Sequence, residues 1–135
     1  MKTKIYNSAF ESFLKKYNIP QTKIIYVESV KDWAVEHGIP ENNPFRVALN
    51  AKEHPTGIHV IVILEEMGKN NIPLITSALR IREFPHWREL NNDLELFIKH
   101  TFLHEIAHIK FGTTEEKIEL DNWAWDELRK LNNIS

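Results

Sequence analysis

The chain has 135 residues, no cysteine and a formal net charge of −2. At roughly 100–200 residues per domain, this length predicts a single domain over 1–135, and a hydrophobic content of 42% is enough for a buried core. The balanced charge and the pI of about 6.4 argue against the basic surface of a nucleic-acid binder. The absence of cysteine excludes disulfide scaffolds and thiolate nucleophiles, so any metal site must use His, Asp and Glu.

Targeting and membrane signals are not evident in the sequence. The first residues lack the apolar stretch of a secretion signal. The longest apolar run, Val60–Leu64, is far shorter than a membrane span. We therefore expect a cytoplasmic protein with no membrane partner, and the lack of cysteine fits that compartment.

The first 81 residues contain two helical and four strand patterns, separated by turns that contain Gly or Pro. In chain order they are a helix at about 9–17, a strand at 23–28, a short helix carrying residues 30–35, and strands at 45–50, 57–66 and 73–81. The strand at 57–66 is apolar enough to be central in its sheet. The short connections between the last three strands favour antiparallel hairpins.

The last third of the chain has a helical pattern. A capping box at its first residue predicts a helix over 92–111, which Gly112 ends. Thr113 with Glu116 forms a further capping box, which predicts the start of a final helix that ends at about 131. Because strands and helices are largely segregated, we predict an α+β fold in which a small antiparallel or mixed sheet packs against helices.

The motif His104-Glu105-Ile106-Ala107-His108 is the part of the sequence that indicates chemistry. Two histidines four residues apart on a helix project from one face, so their ring nitrogens can share one metal ion. Glu105 follows His104 directly and can reach a water at the metal rather than the metal itself. This pattern is typical of zinc-dependent hydrolysis, in which a glutamate takes a proton from water and later delivers it.

A zinc hydrolase needs a third protein ligand and an open position for water. On the predicted final helix, Glu116 lies within the apolar face, whereas Glu119 lies on the opposite, polar side. Glu116 is therefore the first choice for the third ligand and Glu119 the alternative. Helix capping is the competing explanation for Glu116. His100 lies one turn before His104, too far along a straight helix for all three histidines to bind one ion, and we expect it to be packed or solvated.

The stretches FLHEIAHIKFG and EEKIELDNWAWDEL resemble the ImmA/IrrE family of small zinc metallopeptidases. The resemblance covers about the last 35 residues, with an HExxH helix, a short gap and a second helix carrying an acidic residue and an aromatic-Ala pair. It implies a zincin-like fold, zinc bound by His104 and His108, and Glu105 as the general base. It also implies a regulatory protein, such as a repressor, as the substrate.

The chain departs from the family pattern at Lys117, which occupies the position expected for the glutamate ligand. A protonated lysine is a donor and cannot bind the ion. Either Glu116 or Glu119 then supplies the carboxylate, or the third ligand is lost. Asp121 is a candidate for a supporting role, in which it holds the second ring nitrogen of a ligand histidine.

Two functions follow as hypotheses. The first is a zinc-dependent metallopeptidase that acts on a protein or peptide substrate and has no direct nucleic-acid partner. An extended substrate would then lie along an exposed strand edge, such as that of the predicted strand at 73–81. The alternative, prompted by Lys117, is a catalytically inactive protein-binding module on a zincin scaffold.

Overall fold

The computed structural model describes residues 2–4, 7–19, 21–113 and 115–132. The chain divides into two compact units, Met1–Met67 and Gly68–Ser135. The secondary structure of the first unit consists of β1 (Lys2–Lys4), α1 (Asn7–Lys16), β2 (Lys23–Val27), α2 (Val30–Glu36), β3 (Ala48–Lys52), β4 (His59–Leu64) and β5 (Glu66–Gly68), which runs one residue into the second. That of the second consists of a 3-10 turn (Lys69–Asn71), α3 (Ile72–Ile81), α4 (Trp87–Asn92), α5 (Leu94–Phe111) and α6 (Ile118–Asn132).

The first unit is built on a three-stranded mixed sheet in the order β2-β4-β3. At Val62 in β4, the partner in parallel β2 is Ile25 and the partner in antiparallel β3 is Leu49. The residues of β4 from Val60 onward are all buried, as expected for a continuous apolar run flanked on both sides. The predictions of a central strand here and of an antiparallel pair with the preceding strand are confirmed. β1 pairs with β5 in a separate two-stranded sheet.

The second unit is helical among its described residues, and its core is apolar. The buried apolar side chains come from all four helices and the connection after α3: Ile72, Leu79, Phe84, Leu90, Phe97, Ile98, Phe102, Leu103, Ile106, Ala107, Leu120, Ala124, Trp125 and Leu128. Helix α5 contacts both α4 and α6. The α+β class with a small mixed sheet is therefore confirmed.

The predicted strand at 73–81 is wrong, because this segment forms α3. Its buried residues Ile72, Thr76 and Leu79 recur at the spacing of one helix face. The proline lies in the first turn, where a helix tolerates it. The hydroxyl of Thr76 donates to the carbonyl of Ile72, at 3.1 Å. This segment therefore offers no strand edge to a substrate.

The two long C-terminal helices begin later than predicted. Asn92 ends α4, and Asp93 caps α5 by accepting from the backbone N–H of Leu96, at 3.1 Å. Gly112 ends α5 in the left-handed conformation, at φ 62°, as predicted. The final helix begins at Ile118, so the expected capping box at 113–116 does not form. None of the described helices is long and apolar enough to cross a bilayer.

Candidate metal centre

His104 and His108 lie one turn apart in α5, with ring centroids 4.8 Å apart and planes nearly perpendicular, at 84°. Both are largely enclosed: 12% and 6% of their side-chain surfaces are exposed. This is the geometry expected from an i, i+4 pair on one helix face. The sequence therefore places two imidazoles beside one point in space.

Glu116 brings its carboxylate to the same point. One oxygen, Oε2, lies 2.9 Å from Nε2 of His104, and the other, Oε1, lies 3.0 Å from Nε2 of His108. The three side chains form a group that could hold a metal ion, with one ligand atom of each within 4.8 Å of the others. Ligands about 2.0–2.1 Å from a tetrahedral ion are roughly 3.3 Å apart, so small adjustments would fit one.

The other ring nitrogens face acceptors on the opposite side of each imidazole. Nδ1 of His108 donates to the backbone carbonyl of Thr113, at 2.9 Å. Nδ1 of His104 lies 2.9 Å from Oδ1 of Asp121, although the ring N–H is not well aligned with this oxygen. These contacts favour the proton on Nδ1 when each ring is neutral, which leaves the Nε2 lone pairs for a metal. The donor set therefore fits a metal ion.

Asp121 is itself held from several directions. Its side chain is 1% exposed, and its Oδ2 accepts from Nη2 of Arg82 at 3.0 Å and from Nε at 3.3 Å. Its backbone carbonyl accepts from Nε2 of the buried His100, at 3.2 Å. Asp121 thus occupies the supporting position that the sequence suggested for it, with two partners that the sequence did not suggest.

The pKa shifts reflect the mutual attraction of these groups in the metal-free protein. Burial lowers the pKa of His104, but contacts with Asp121 and Glu116 outweigh it and raise the pKa to about 10. Burial also lowers the pKa of His108, but contact with Glu116 outweighs this effect, so the pKa of His108 is raised too. For Glu116 the two histidines outweigh burial and hold the pKa well below its usual range. Without a metal, the carboxylate favours the protonated form of both imidazoles.

Glu105 is buried, with 3% of its surface exposed, and follows His104 in α5. Glu105 contributes to the raised pKa of both His104 and His108. Among the described residues, the group that could hold a metal ion consists of His104, His108 and Glu116, without Glu105.

The remaining sequence candidates lie outside this group. Glu119 is exposed in the first turn of α6. Lys117 is directed to Glu115, with Nζ 3.3 Å from Oε2. Glu116 and Lys117 both precede α6, so the reasoning that placed Glu116 on an inward helix face was wrong, although this residue does reach the histidines. The expectation that His100 is packed agrees with its burial, which lowers its pKa to about 4.

Sequence reasoning missed Arg82. It lies 39 residues before Asp121, and no spacing pattern links two residues that are so far apart in the chain. Comparison of the chain with protein-family models, curated proteins and solved structures finds no match.

Proposed function

We propose that the chain is a zinc-dependent peptidase, with His104, His108 and Glu116 as the metal ligands and Glu105 as the general base. The observation that carries the proposal is the convergence of both Nε2 atoms on the carboxylate of Glu116, at 2.9 and 3.0 Å. Acceptors hold the two Nδ1 atoms on the far side. Two histidines and a carboxylate form the open type of zinc site, which leaves a position for water.

The choice of zinc follows from the chemistry of the donors. Imidazole suits several transition metals, and a set of two nitrogens and one carboxylate oxygen in tetrahedral array is typical of hydrolytic zinc. When bound, zinc lowers the pKa of a coordinated water and polarises the carbonyl that is attacked. The side chain of Glu116 is 43% exposed, so the centre is open on the side where a substrate must enter.

Glu105 performs the proton transfers in this proposal. Its carboxylate takes a proton from the attacking water and then delivers it to the nitrogen of the leaving amine, so that one residue serves as base and then as acid. The two ligand histidines are held by Asp121 and Thr113 and therefore keep their rings oriented during turnover.

The resemblance to the ImmA/IrrE family extends the proposal to a zincin-like fold and to a regulatory protein, such as a repressor, as the substrate. This step depends on the segment around 102–128 and is analogy. The competing hypothesis of an inactive binding module was prompted by Lys117. Glu116, the residue before Lys117, contacts both histidines, and this supports the peptidase over the binding module.

The test compares wild type with E105Q and with the matched control E95Q, which changes an exposed glutamate in the first turn of the same helix. Zinc content is measured by elemental analysis, and cleavage of an unfolded protein such as casein, and of a random peptide mixture, by mass spectrometry. We expect all three proteins to bind zinc and E105Q to lose about 10²–10⁴-fold in rate. Equal cleavage by wild type and E105Q, or zinc binding without any cleavage, would favour the binding module.

A further inference from the structure

We propose that Arg82 is a positioning residue of the metal centre, which acts through Asp121 on the ligand His104. This inference rests on the proposed metal site but not on the identity of the substrate. It assigns a role to Arg82, which directly follows α3, whereas the other groups of the centre lie in α5, in α6 and in the segment between them.

The contact between Arg82 and Asp121 fixes one edge of the carboxylate. Arg82 is the C-cap residue directly after α3, and its Nη2 and Nε both donate to Oδ2, at 3.0 and 3.3 Å. The guanidinium is planar and rigid, so two donors on one oxygen restrict the carboxylate more than a single point charge would. The second oxygen, Oδ1, is then directed at Nδ1 of His104, at 2.9 Å.

The buried negative charge of Asp121 also requires a cationic partner. Asp121 is almost fully buried, and a buried carboxylate is costly unless a cation or hydrogen bonds compensate it. A histidine that binds a metal does so in its neutral form, whereas Arg82 keeps its charge at all relevant pH values. In the loaded centre, Arg82 therefore supplies a permanent positive charge in direct contact with Asp121.

The two ligand histidines differ in their dependence on this arrangement. Nδ1 of His108 donates to the backbone carbonyl of Thr113, which does not involve Asp121. A change at Arg82 that acts through Asp121 must therefore disturb His104 and leave His108 nearly unaffected. A general loss of packing would disturb both.

Arg80, in the last turn of α3 and two residues before Arg82, is a matched control. Arg80 is exposed, and its guanidinium lies 5.3 Å from the ring centroid of Trp87. R80M and R82M remove the same side chain and the same charge from neighbouring positions. Only R82M removes a contact with Asp121.

The experiment measures zinc affinity by competition with a chromophoric chelator for wild type, R82M, R82K and R80M. Ring nitrogen shifts of His104 and His108 are recorded by NMR on the zinc-loaded proteins. We expect R82M to weaken zinc binding about tenfold, R82K to restore part of the loss, and R80M to match wild type. The Nδ1 signal of His104 should move in R82M and that of His108 should not.

Unchanged zinc affinity in R82M, or equal shifts of both histidines, would overturn the inference. If R82M does not fold, R82K decides, because it keeps the charge but not the two-donor geometry, and an unaltered His104 signal in R82K would overturn it. The readouts need no substrate, so a failure to find peptidase activity leaves this result standing. Absence of zinc binding by the wild type would overturn both proposals.

Discussion

The Nδ1–H of His108 donates to the carbonyl of Thr113, at 2.9 Å, and this contact joins a side chain of the candidate metal centre to the end of its own helix. Gly112, in the left-handed conformation between them, turns the chain so that the carbonyl faces back toward the ring. The cap of α5 and the orientation of His108 are therefore one structural feature.

Replacing this glycine should affect both stability and metal binding. An added Cβ at Gly112 meets nothing within 4 Å, but its φ of +62° strains any L side chain. We expect G112A to lower the free energy of unfolding of the metal-free protein by about 1 kcal/mol and to weaken zinc binding about tenfold. Urea denaturation and chelator competition measure the two effects.

Gly57 provides the control for this substitution. It has a φ of +75°, an added Cβ would meet nothing within 4 Å, and it belongs to the unit Met1–Met67. G57A should show a similar loss of stability with unchanged zinc affinity. Equal zinc affinities for G112A and G57A would contradict the link between the helix cap and His108.

The third ligand is tested by the pair E116Q and E119Q. Each substitution removes one carboxylate, and the two positions are three residues apart. Of the two residues, Glu116 contacts the histidines. Because Glu116 is proposed as a direct ligand, we expect E116Q to weaken zinc binding more than the roughly 10–100-fold that supporting residues cause. E119Q should bind as wild type does. The reverse order would assign the carboxylate to Glu119.

The pKa shifts predict opposite pH trends for stability and metal binding. The pKa of His104 is raised from 6.5 to about 10 and that of His108 is raised. The stability that these shifts give the metal-free protein is complete below pH 6.5; the part from His104 is lost as the pH rises toward 10, and the part from His108 is lost above 6.5. Glu116, with a lowered pKa, and His100, with a pKa of about 4, act in the other direction: their contributions are lost as the pH falls below about 4.5 and 6.5, respectively.

Zinc must displace protons from both ligand histidines, so its apparent affinity should rise between pH 6.5 and 9 while the metal-free protein loses stability. Denaturation in the presence of a chelator and calorimetric titration in two buffers of different ionisation enthalpy measure these trends. Release of at least one proton per zinc at pH 7 is expected, because the pKa of His104 is about 10. E116Q should flatten the stability trend, since the carboxylate holds both imidazoles. Release of no protons would contradict the charge state described.

Removal of the metal should leave the fold intact. Helices α5 and α6 contact each other, and both contribute fully buried apolar residues to the core: Phe102, Leu103, Ile106, Leu120, Ala124 and Leu128. This burial does not depend on an ion. We expect a chelator to lower the Tm without changing the far-UV circular dichroism, because bound zinc stabilises the folded chain only by its own binding free energy. Loss of helical signal on chelation would indicate a structural site instead.

Local patterns predicted the parts of the fold that depend on local physics. The apolar run of β4 and the helix that carries His104 and His108 are set by hydrophobic burial and helix periodicity, which short windows of sequence contain. The strand prediction at 73–81 was wrong because β-branched residues in this segment favour a strand locally, whereas the packing of one helical face stabilises a helix there.

The rest of the site depends on long-range contacts that a single sequence does not reveal. Glu116 was preferred for its place on a helix that in fact begins two residues later, so the structure supplies a different reason for the same residue. The contact of Arg82 with Asp121 joins the end of α3 to α6. No local pattern contains it, because it follows from the packing of helices that are distant in the chain.

The most direct test of the central claim is anomalous diffraction at the zinc edge from crystals grown with the metal. The account predicts one zinc per chain, bound by Nε2 of His104, Nε2 of His108 and a carboxylate oxygen of Glu116 at about 2.0–2.2 Å. It also predicts that Glu105 lies near the fourth position without binding the ion. No zinc at these residues, or zinc bound by Glu119 in place of Glu116, would contradict it.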